Sequence, residues 1–248
     1  MSTQIKFKDV KIADDSFYKR QSVKVGSKTL HTPSKSIDIA RVPIHFNFAD
    51  ELFGVKEIYK TFTTERIKNA SQSGAEEEIN KNINRLEERN QNENQVTLTF
   101  AEFDEKQIPT EKEIAFLTDI SYVHSDLTPL PLLPLFCRQI TPDTIDKYES
   151  FIKASIAKID ELNNQPMMGV IPAAMPRDFL INIMNIYENN GMNAFCVDFQ
   201  GSTTQGSMSK IRELFRIMKQ KKMLEESYIY GINLSPGKLI KDKTILPA

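Results

Sequence analysis

From residue 95 onward the chain alternates short apolar segments with amphipathic helices, and this alternation restricts the fold more than any other feature. The apolar segments cover residues 95–100, 168–171, 194–199 and 228–234. Strands that are apolar along their whole length are buried on both faces, as in parallel βαβ units. The sequence therefore predicts an α/β protein built as a (β/α) barrel or partial barrel of parallel strands, with an open parallel sheet as the alternative.

The helices between these segments have clear start and stop signals. Thr141 is a candidate N-cap with Pro142 at the first helical position, and Pro176 opens the next helix. Gly191 is expected to end that helix in a left-handed conformation, and another helix begins near Ser209. Helices delimited in this way between buried strands favour βαβ units.

The first part of the chain is predicted to begin with strands. Residues 22–25 and 28–32 are expected to form a hairpin around Gly26, and residues 37–46 a longer strand. Residues 54–94 are polar and are predicted to be helical.

The domain organisation follows from these elements. Residues 1–35 are predicted to form an N-terminal β-hairpin region, and residues 36–248 a barrel-like domain. A further strand over 120–124 brings the barrel strands to about six, fewer than a complete barrel has. Because an incomplete barrel has unpaired strand edges, we expect a homo-oligomer or a larger complex.

The composition excludes several functional classes. The formal charge is −1, from 32 basic and 33 acidic residues, so no overall basic surface indicates nucleic acid or an anionic membrane. Two cysteines, Cys137 and Cys196, and three histidines are too few for a dedicated metal site. No apolar run is long enough for a membrane span or a signal peptide. We therefore expect a cytoplasmic protein without a cofactor, a metal or a membrane partner.

Asp198 is the first candidate for a catalytic residue. The segment 194–199 is apolar until this carboxylate, and Gly201 lets the backbone pass close to a ligand. In a barrel, functional side chains lie at the carboxyl ends of several strands. A partly desolvated carboxylate there serves as a nucleophile or general base, whereas the structural alternative is a helix cap or the partner of a buried arginine.

Other polar side chains follow the remaining predicted strands. Glu102 and Asp104 are two residues apart and share one face of an extended strand, a pairing that suits acid/base chemistry. His124 and Asp126 likewise lie on one side of an extended chain. We predict catalysis by Asp198, Asp104 and Asp126, and substrate binding by Glu102, His124, Gln200, Gly201, Asn233 and Lys238.

Two stretches of the chain resemble a known family. Residues 23–33, with a turn at Gly26 and Thr32-Pro33 at the end, are similar to the opening hairpin of tRNA-guanine transglycosylases. Residues 194–201, the following helix and residues 228–233 resemble the last part of such a barrel. The resemblance implies a (β/α) barrel that exchanges a guanine-type base through an aspartate nucleophile and a second carboxylate. It also implies a nucleobase or tRNA as the partner.

Two motifs of that family are absent from the chain. There is no Asp-Ser-Gly-Gly-Phe-Gln segment, which holds a base-recognition aspartate, and no Cys-x-Cys-x-x-Cys with a following His, which binds zinc. Asp198 is therefore matched to the nucleophile by position. The predicted function is a nucleobase- or nucleoside-directed enzyme resembling a transglycosylase. The alternative is a non-catalytic barrel subunit or binding module that has lost these motifs.

Overall fold

The centre of the molecule is a set of parallel strands. The computed structural model describes residues 5–12, 19–44, 53–89, 95–162 and 165–235. Its strands are β1 (Lys6–Ile12), β2 (Lys19–Val25), β3 (Lys28–Thr32), β4 (Lys35–Asp38), β5 (Phe53–Phe62), β6 (Val96–Phe103), β7 (Thr128–Pro129), β8 (Met167–Pro172), β9 (Ala194–Asp198) and β10 (Tyr228–Ile232). Its α-helices are α1 (Thr64–Ser73), α2 (Ala75–Glu87), α3 (Glu111–Val123), α4 (Pro134–Cys137), α5 (Pro142–Leu162), α6 (Arg177–Asn189) and α7 (Met208–Gln220).

The parallel strands follow one another in space in the order of the chain. Strands β4, β5 and β6 are hydrogen-bonded neighbours, and so are β7, β8, β9 and β10. The amide of Phe103 donates to the carbonyl of Leu132 at 2.8 Å, and the amide of Leu132 donates to Ala101 at 2.9 Å, which joins β6 to the chain just after β7. This order is typical of a (β/α) barrel, because a doubly wound sheet reverses its order. The predicted fold class is confirmed.

Side-chain contacts inside the barrel connect the first and last strands of this series, β4 and β10. The hydroxyl of Tyr230 in β10 donates to the Glu57 carboxylate in β5, and Ser36 in β4 hydrogen-bonds to both side chains. Tyr228 forms a further hydrogen bond with Ser34. Within the described residues no main-chain ladder joins β4 to β10, so side chains make the contact between them.

The antiparallel sheet of β1, β2 and β3 covers the N-terminal end of the barrel. Leu30 of β3 is buried and packs on Gly54, where an added Cβ would overlap it. Asn193, just before β9, holds the main chain of Ile5 through hydrogen bonds of 3.2 and 2.9 Å. The opposite end of the barrel, where the strands have their carboxyl ends, is called the mouth below.

The helices of the second half begin and end close to where the sequence predicts. Helix α5 begins at Pro142, and α6 follows directly after Pro176. Gly191 has a φ of 65°, the predicted left-handed conformation. Helix α7 begins at Met208, one residue before the predicted start.

Two predictions for the first half of the barrel are wrong. Residues 53–62 form strand β5, although the polar composition of 54–94 predicted a helical region. The strand predicted over 37–46 ends at Asp38, because the Asp38 side chain accepts a hydrogen bond from the Ala40 amide at 3.1 Å and starts a short 3₁₀ helix. The end of the predicted strand, from residue 45, lies outside the described residues.

The strand predicted over 120–124 is also wrong, since these residues belong to the end of α3 and its C-cap. Helix α3 starts with a capping box, in which the Thr110 amide donates to Glu113 Oε2 at 2.6 Å. Its inner face buries Leu117 and Ile120. The short apolar run at its end suits a strand as well as a helix, and the packing against the barrel decides for the helix.

Candidate functional site

Alternate residues of each barrel strand point into the barrel, and this alternation selects the side chains of the site. On β5, Tyr59 points inward and stacks on Phe100 of β6 with ring centroids 5.0 Å apart. Its neighbour two residues back, Glu57, also points inward, as its contact with Tyr230 shows. Lys56 points outward, where its Nζ donates to two main-chain carbonyls at the C-terminal end of α2, each at 2.7 Å.

Asp198 lies at the mouth, at the last position of β9, and is 3% exposed. Its Oδ1 accepts hydrogen bonds from Asn233 Nδ2 at 2.9 Å and from the Gln200 amide at 3.0 Å. Burial raises the pKa of the Asp198 carboxyl, while these two hydrogen bonds and the charge of Arg138 act in the opposite direction. Three predicted site residues, Asp198, Gln200 and Asn233, therefore lie together.

The backbone around Asp198 is held in an uncommon conformation. Gln200 and Asn233 have φ values of 51° and 54°, in the left-handed region, which asparagine adopts more readily than glutamine, so the strain lies at Gln200. Gly201 follows with φ of 79° and donates its amide to the Asn233 carbonyl at 2.8 Å. The Gln200 Nε2 atom is buried without a hydrogen-bond partner among the described residues. Such strained backbone is concentrated at functional sites.

Glu102 lies at the mouth on β6 and is coupled to Asp198. Its Oε2 accepts a hydrogen bond from the Thr61 hydroxyl at 3.0 Å. Burial raises the pKa of the Glu102 carboxyl, the Thr61 hydrogen bond lowers it, and the charges of Asp198, Asp104 and Asp38 raise it. The charge of Asp198 thus contributes to the raised pKa of Glu102, as expected for carboxyl groups at the ends of strands around one barrel.

Asp104 lies at the rim of the mouth. Its amide donates to the Phe62 carbonyl at 2.8 Å, which continues the ladder between β5 and β6 by one residue. Its side chain is exposed, in contrast to the buried Asp198. Asp104 is thus close enough to raise the pKa of Glu102 but is itself in contact with solvent.

Sequence reasoning missed the carboxylate in the middle of the barrel. Glu57 is 8% exposed and receives hydrogen bonds from Tyr230 and, at 3.2 Å, from Tyr59. Burial raises the pKa of Glu57, and its hydrogen bonds partly oppose the increase. The alternation of Val55, Glu57 and Tyr59 was the signal available in the sequence, but the polar stretch around it predicted helix.

His124 and Asp126 lie at the N-terminal end of the barrel, away from Asp198. The His124 ring is buried between Glu87 Oε1 at 2.7 Å and Asn80 Oδ1 at 3.0 Å, both on α2. Asp126 accepts from the Thr97 amide at 2.7 Å, near the start of β6, and pairs with a lysine of β3 at 2.6 Å. These contacts fasten α2, α3 and the N-terminal sheet to the barrel, so the structure does not bring the two residues to the mouth.

The remaining predictions concern Lys238, a metal site and a membrane span. Lys238 lies outside the described residues. Over the ranges that the structure describes, no group of three His, Cys, Asp or Glu side chains is arranged to hold a metal ion. None of the described helices combines the length and the apolar character needed to cross a bilayer.

The two mouth carboxyls have unlike surroundings. Burial raises the pKa of Asp198, and two hydrogen bonds from N–H groups and the charge of Arg138 partly oppose that increase. Glu102 accepts one hydrogen bond from a hydroxyl and is surrounded by like charges, which favours its protonated form. Both pKa values are therefore raised, but like charges add to the effect of burial at Glu102, whereas hydrogen-bond donors oppose it at Asp198. Two carboxyl groups in unequal surroundings can take different roles in acid/base chemistry.

Comparisons with known proteins leave the family open. No family model matches the chain, and no curated protein matches it. Among solved structures, the chain is similar to orotidine 5'-monophosphate decarboxylase from Methanocaldococcus jannaschii, with a TM-score of 0.37 and 12% sequence identity over 72% of this chain and 76% of that chain. This likeness is too low to carry an argument, and the barrel is established by strand order and register alone.

Proposed function

We propose that the mouth is the active site of an enzyme that acts on a nucleobase or nucleoside by base exchange, as tRNA-guanine transglycosylases do. The observation that carries the proposal is the pair of unlike carboxyls, Asp198 and Glu102, at the carboxyl ends of two strands. The resemblance of residues 23–33 to the opening hairpin of that family agrees with this choice of substrate.

The exchange needs two displacement steps at one sugar carbon. In the first, an Asp198 oxygen forms a bond to C1′ while the C1′–N bond breaks, and the leaving base takes a proton from Glu102. In the second, an incoming base gives its proton to Glu102 and forms a new C1′–N bond, which releases Asp198. Both proton and charge balance are restored after the two steps, so the exchange needs no oxidant and no cofactor.

The amide groups next to Asp198 supply a means of recognising a base. The buried Gln200 Nε2 has no hydrogen-bond partner among the described residues, and the Asn233 amide is held at Asp198; amide groups can donate to and accept from the edge of a base. Their left-handed backbone keeps both residues beside the carboxylate. We assign to Asp104, at the rim, a contact with the sugar or a flanking group, and to Gly201 a close approach of the ligand to the main chain.

A non-catalytic barrel that binds a partner is the second candidate. Two observations favour it: the chain lacks the base-recognition and zinc motifs of the transglycosylase family, and the barrel interior is occupied by Glu57 and its tyrosine partners. In this case Asp198 is a structural acceptor for Asn233 and the Gln200 amide, and its replacement affects stability alone.

Incorporation of labelled base into RNA separates the two candidates. The protein is incubated with unfractionated tRNA and tritiated guanine, and the label in acid-precipitated RNA is counted. We expect incorporation by the wild type and by Asp160→Asn, an exposed control on α5, and a loss of at least a hundredfold in Asp198→Asn.

Calorimetry with guanine, 7-deazaguanines and tRNA completes the test. Binding of one of these without incorporation, in both the wild type and Asp198→Asn, supports the non-catalytic module. Absence of any heat together with absence of incorporation overturns the nucleobase proposal.

A further inference from the structure

The exposed side of α7 carries a dense set of basic residues in a chain whose net charge is −1. Within α7 the single acidic residue is Glu213. An exposed aromatic ring, Phe215, lies among the basic residues and is 37% exposed. We call the following side chains the α7 face: Lys210, Arg212, Phe215, Arg216, Lys219 and, just past the helix, Lys222.

Most of the positive charge on the α7 face is not compensated by an ion pair. Glu213 pairs with Arg177 at 2.5 Å and with Arg216 at 3.4 Å. Among the described residues, no acidic partner lies within ion-pair distance of Lys210, Arg212, Lys219 or Lys222. Helix α5 is different, because its sequence mixes three lysines with five acidic residues. Helix α7 therefore carries an excess of basic groups that α5 lacks.

We propose that the α7 face binds the backbone of a single-stranded polynucleotide, with Phe215 stacking on a base. Uncompensated Lys and Arg side chains neutralise phosphates, and an aromatic ring between them gives a base a platform for its face. Arg212, Phe215 and Lys219 recur at i, i+3 and i+7, so they lie in one line along the helix. This combination of charge and aromatic spacing is the one that single-stranded nucleic acid recognises.

An anionic membrane fits the α7 face less well. Helices that lie on a bilayer insert a broad apolar side between the lipid headgroups. The apolar side of α7, with Leu214, Ile217 and Met218, is buried against the barrel instead. Phe215 and Met208 are the large apolar side chains of α7 that remain exposed, and two isolated side chains do not form such a side.

The position of α7 relates the bound strand to the mouth of the barrel. The helix follows β9 through residues 199–207 and connects it to the parallel strand β10, so its N-terminal end lies on the side of the mouth. Arg212 and Lys219 are about 10 Å apart along the helix axis. A strand held along the α7 face therefore has one end on the side of the mouth. The inference stands on the α7 face and does not depend on chemistry at Asp198.

Fluorescence anisotropy with a labelled RNA oligonucleotide of roughly 12 nucleotides tests the inference over a series of salt concentrations. The double variant Arg212→Gln/Lys219→Gln should bind at least tenfold more weakly near 50 mM KCl and should lower the slope of log K against log salt by about 1.4. The matched control, Lys147→Gln/Lys153→Gln on exposed positions of α5, removes the same charge and should bind like the wild type. Phe215→Ala should weaken binding about fivefold or more without changing the slope.

The outcomes that overturn the inference are distinct. Equal losses in the two double variants mean that net charge, and not the α7 face, causes the attraction. No binding of RNA by the wild type near 50 mM KCl removes the inference, and so does binding of phosphatidylserine vesicles in its place. Asp198→Asn should bind RNA like the wild type, so a failure of base exchange leaves this test unaffected.

Discussion

At the scale of single residues, the barrel holds buried carboxyl groups in two different settings. Asp198 lies at the mouth with N–H donors and strained backbone next to it, while Glu57 lies deeper and is bonded to tyrosine hydroxyls. A buried carboxyl that lacks partners is costly, so both settings contribute to stability as well as to chemistry. Isosteric substitutions separate the two contributions.

Replacement of Asp198 by two different residues distinguishes its chemical role from its structural role. In Asp198→Asn the side-chain oxygen still accepts from Asn233 and from the Gln200 amide, so we expect a free energy of unfolding within about 1 kcal/mol of wild type. In Asp198→Ala both donors lose their acceptor, and the protein should lose about 1–3 kcal/mol. Urea unfolding followed by circular dichroism measures both values. Equal losses in the two variants would mean that the carboxylate charge is required for folding.

The pH dependence of stability tests the burial of Glu57. Its raised pKa means that the folded protein holds this proton more tightly than the unfolded chain does. The protonated Glu57 therefore contributes stability that is complete below the pKa of this group in the unfolded chain, about 4.5. That contribution is lost as the pH rises through the higher pKa of Glu57 in the folded protein. Glu57→Gln has no group to ionise, so its stability relative to wild type should increase between pH 5 and pH 8. A constant difference between the two proteins over this range would contradict the prediction.

At the scale of elements, outward-pointing polar groups decide how the helices attach to the barrel. Lys56 reaches from β5 to the C-terminal end of α2, where its ammonium group satisfies two carbonyls. Glu87 and Asn80 of α2 in turn hold the His124 ring at the end of α3. These contacts join two helices and a strand in a region that the composition describes only as polar.

Lys56→Met tests this attachment, and its difference in unfolding free energy from the wild type should depend on pH. Burial lowers the pKa of Lys56 from 10.5 to about 8, so the folded protein releases this proton before the unfolded chain does. Stability from this group is therefore gained as the pH rises from about 8 towards 10.5, and the variant should lack that gain. At pH 7 the variant leaves two carbonyls without a donor and should lose about 1–3 kcal/mol. Lys112→Met, at an exposed position of α3, is the control for both urea titrations.

At the scale of the whole molecule, the N-terminal sheet packs on one end of the barrel. The sheet covers one end of the barrel through Leu30 and through the hydrogen bonds between Ile5 and Asn193, and the mouth lies at the opposite end. The first and last strands of the series meet through the Glu57, Tyr230 and Ser36 side chains, without a main-chain ladder among the described residues.

The strand edges lead to a prediction about association. Over the part of the chain that the structure describes, one edge of β4 and one edge of β10 have no main-chain partner, and such edges invite pairing with another chain, so we expect a homo-oligomer or a larger complex. Sedimentation velocity over a range of protein concentrations measures the state directly. A monomer that persists at high concentration would contradict this expectation and would indicate that the two edges are satisfied within one chain.

The sequence alone determined β6 and the elements from α5 onward, because buried strands and capped helices leave local signals in residues 95–100, 141–142, 194–199 and 228–234. The same signals pointed to Asp198 as a lone carboxylate at a strand end. Only the tertiary structure decided the first half, since the outward side of β5 mixes Lys56 and Lys60 with the buried Ile58 and Phe62, and the polar composition of residues 54–94 predicted a helical region.

The tertiary structure also decided which candidates share a site. Glu102 and Asp198 lie at the same rim because parallel strands have their carboxyl ends on one side of the barrel. The two residues are almost a hundred positions apart, so their spacing in the sequence does not reveal this proximity. His124 and Asp126 do not lie at that rim, because residues 120–123 are the end of helix α3 and not a strand. A helix of a βαβ unit runs back to the N-terminal end of the barrel, so the two residues lie there, near the start of β6. Local sequence determines the type of an element where its burial is uniform, and long-range packing determines it where one face is polar.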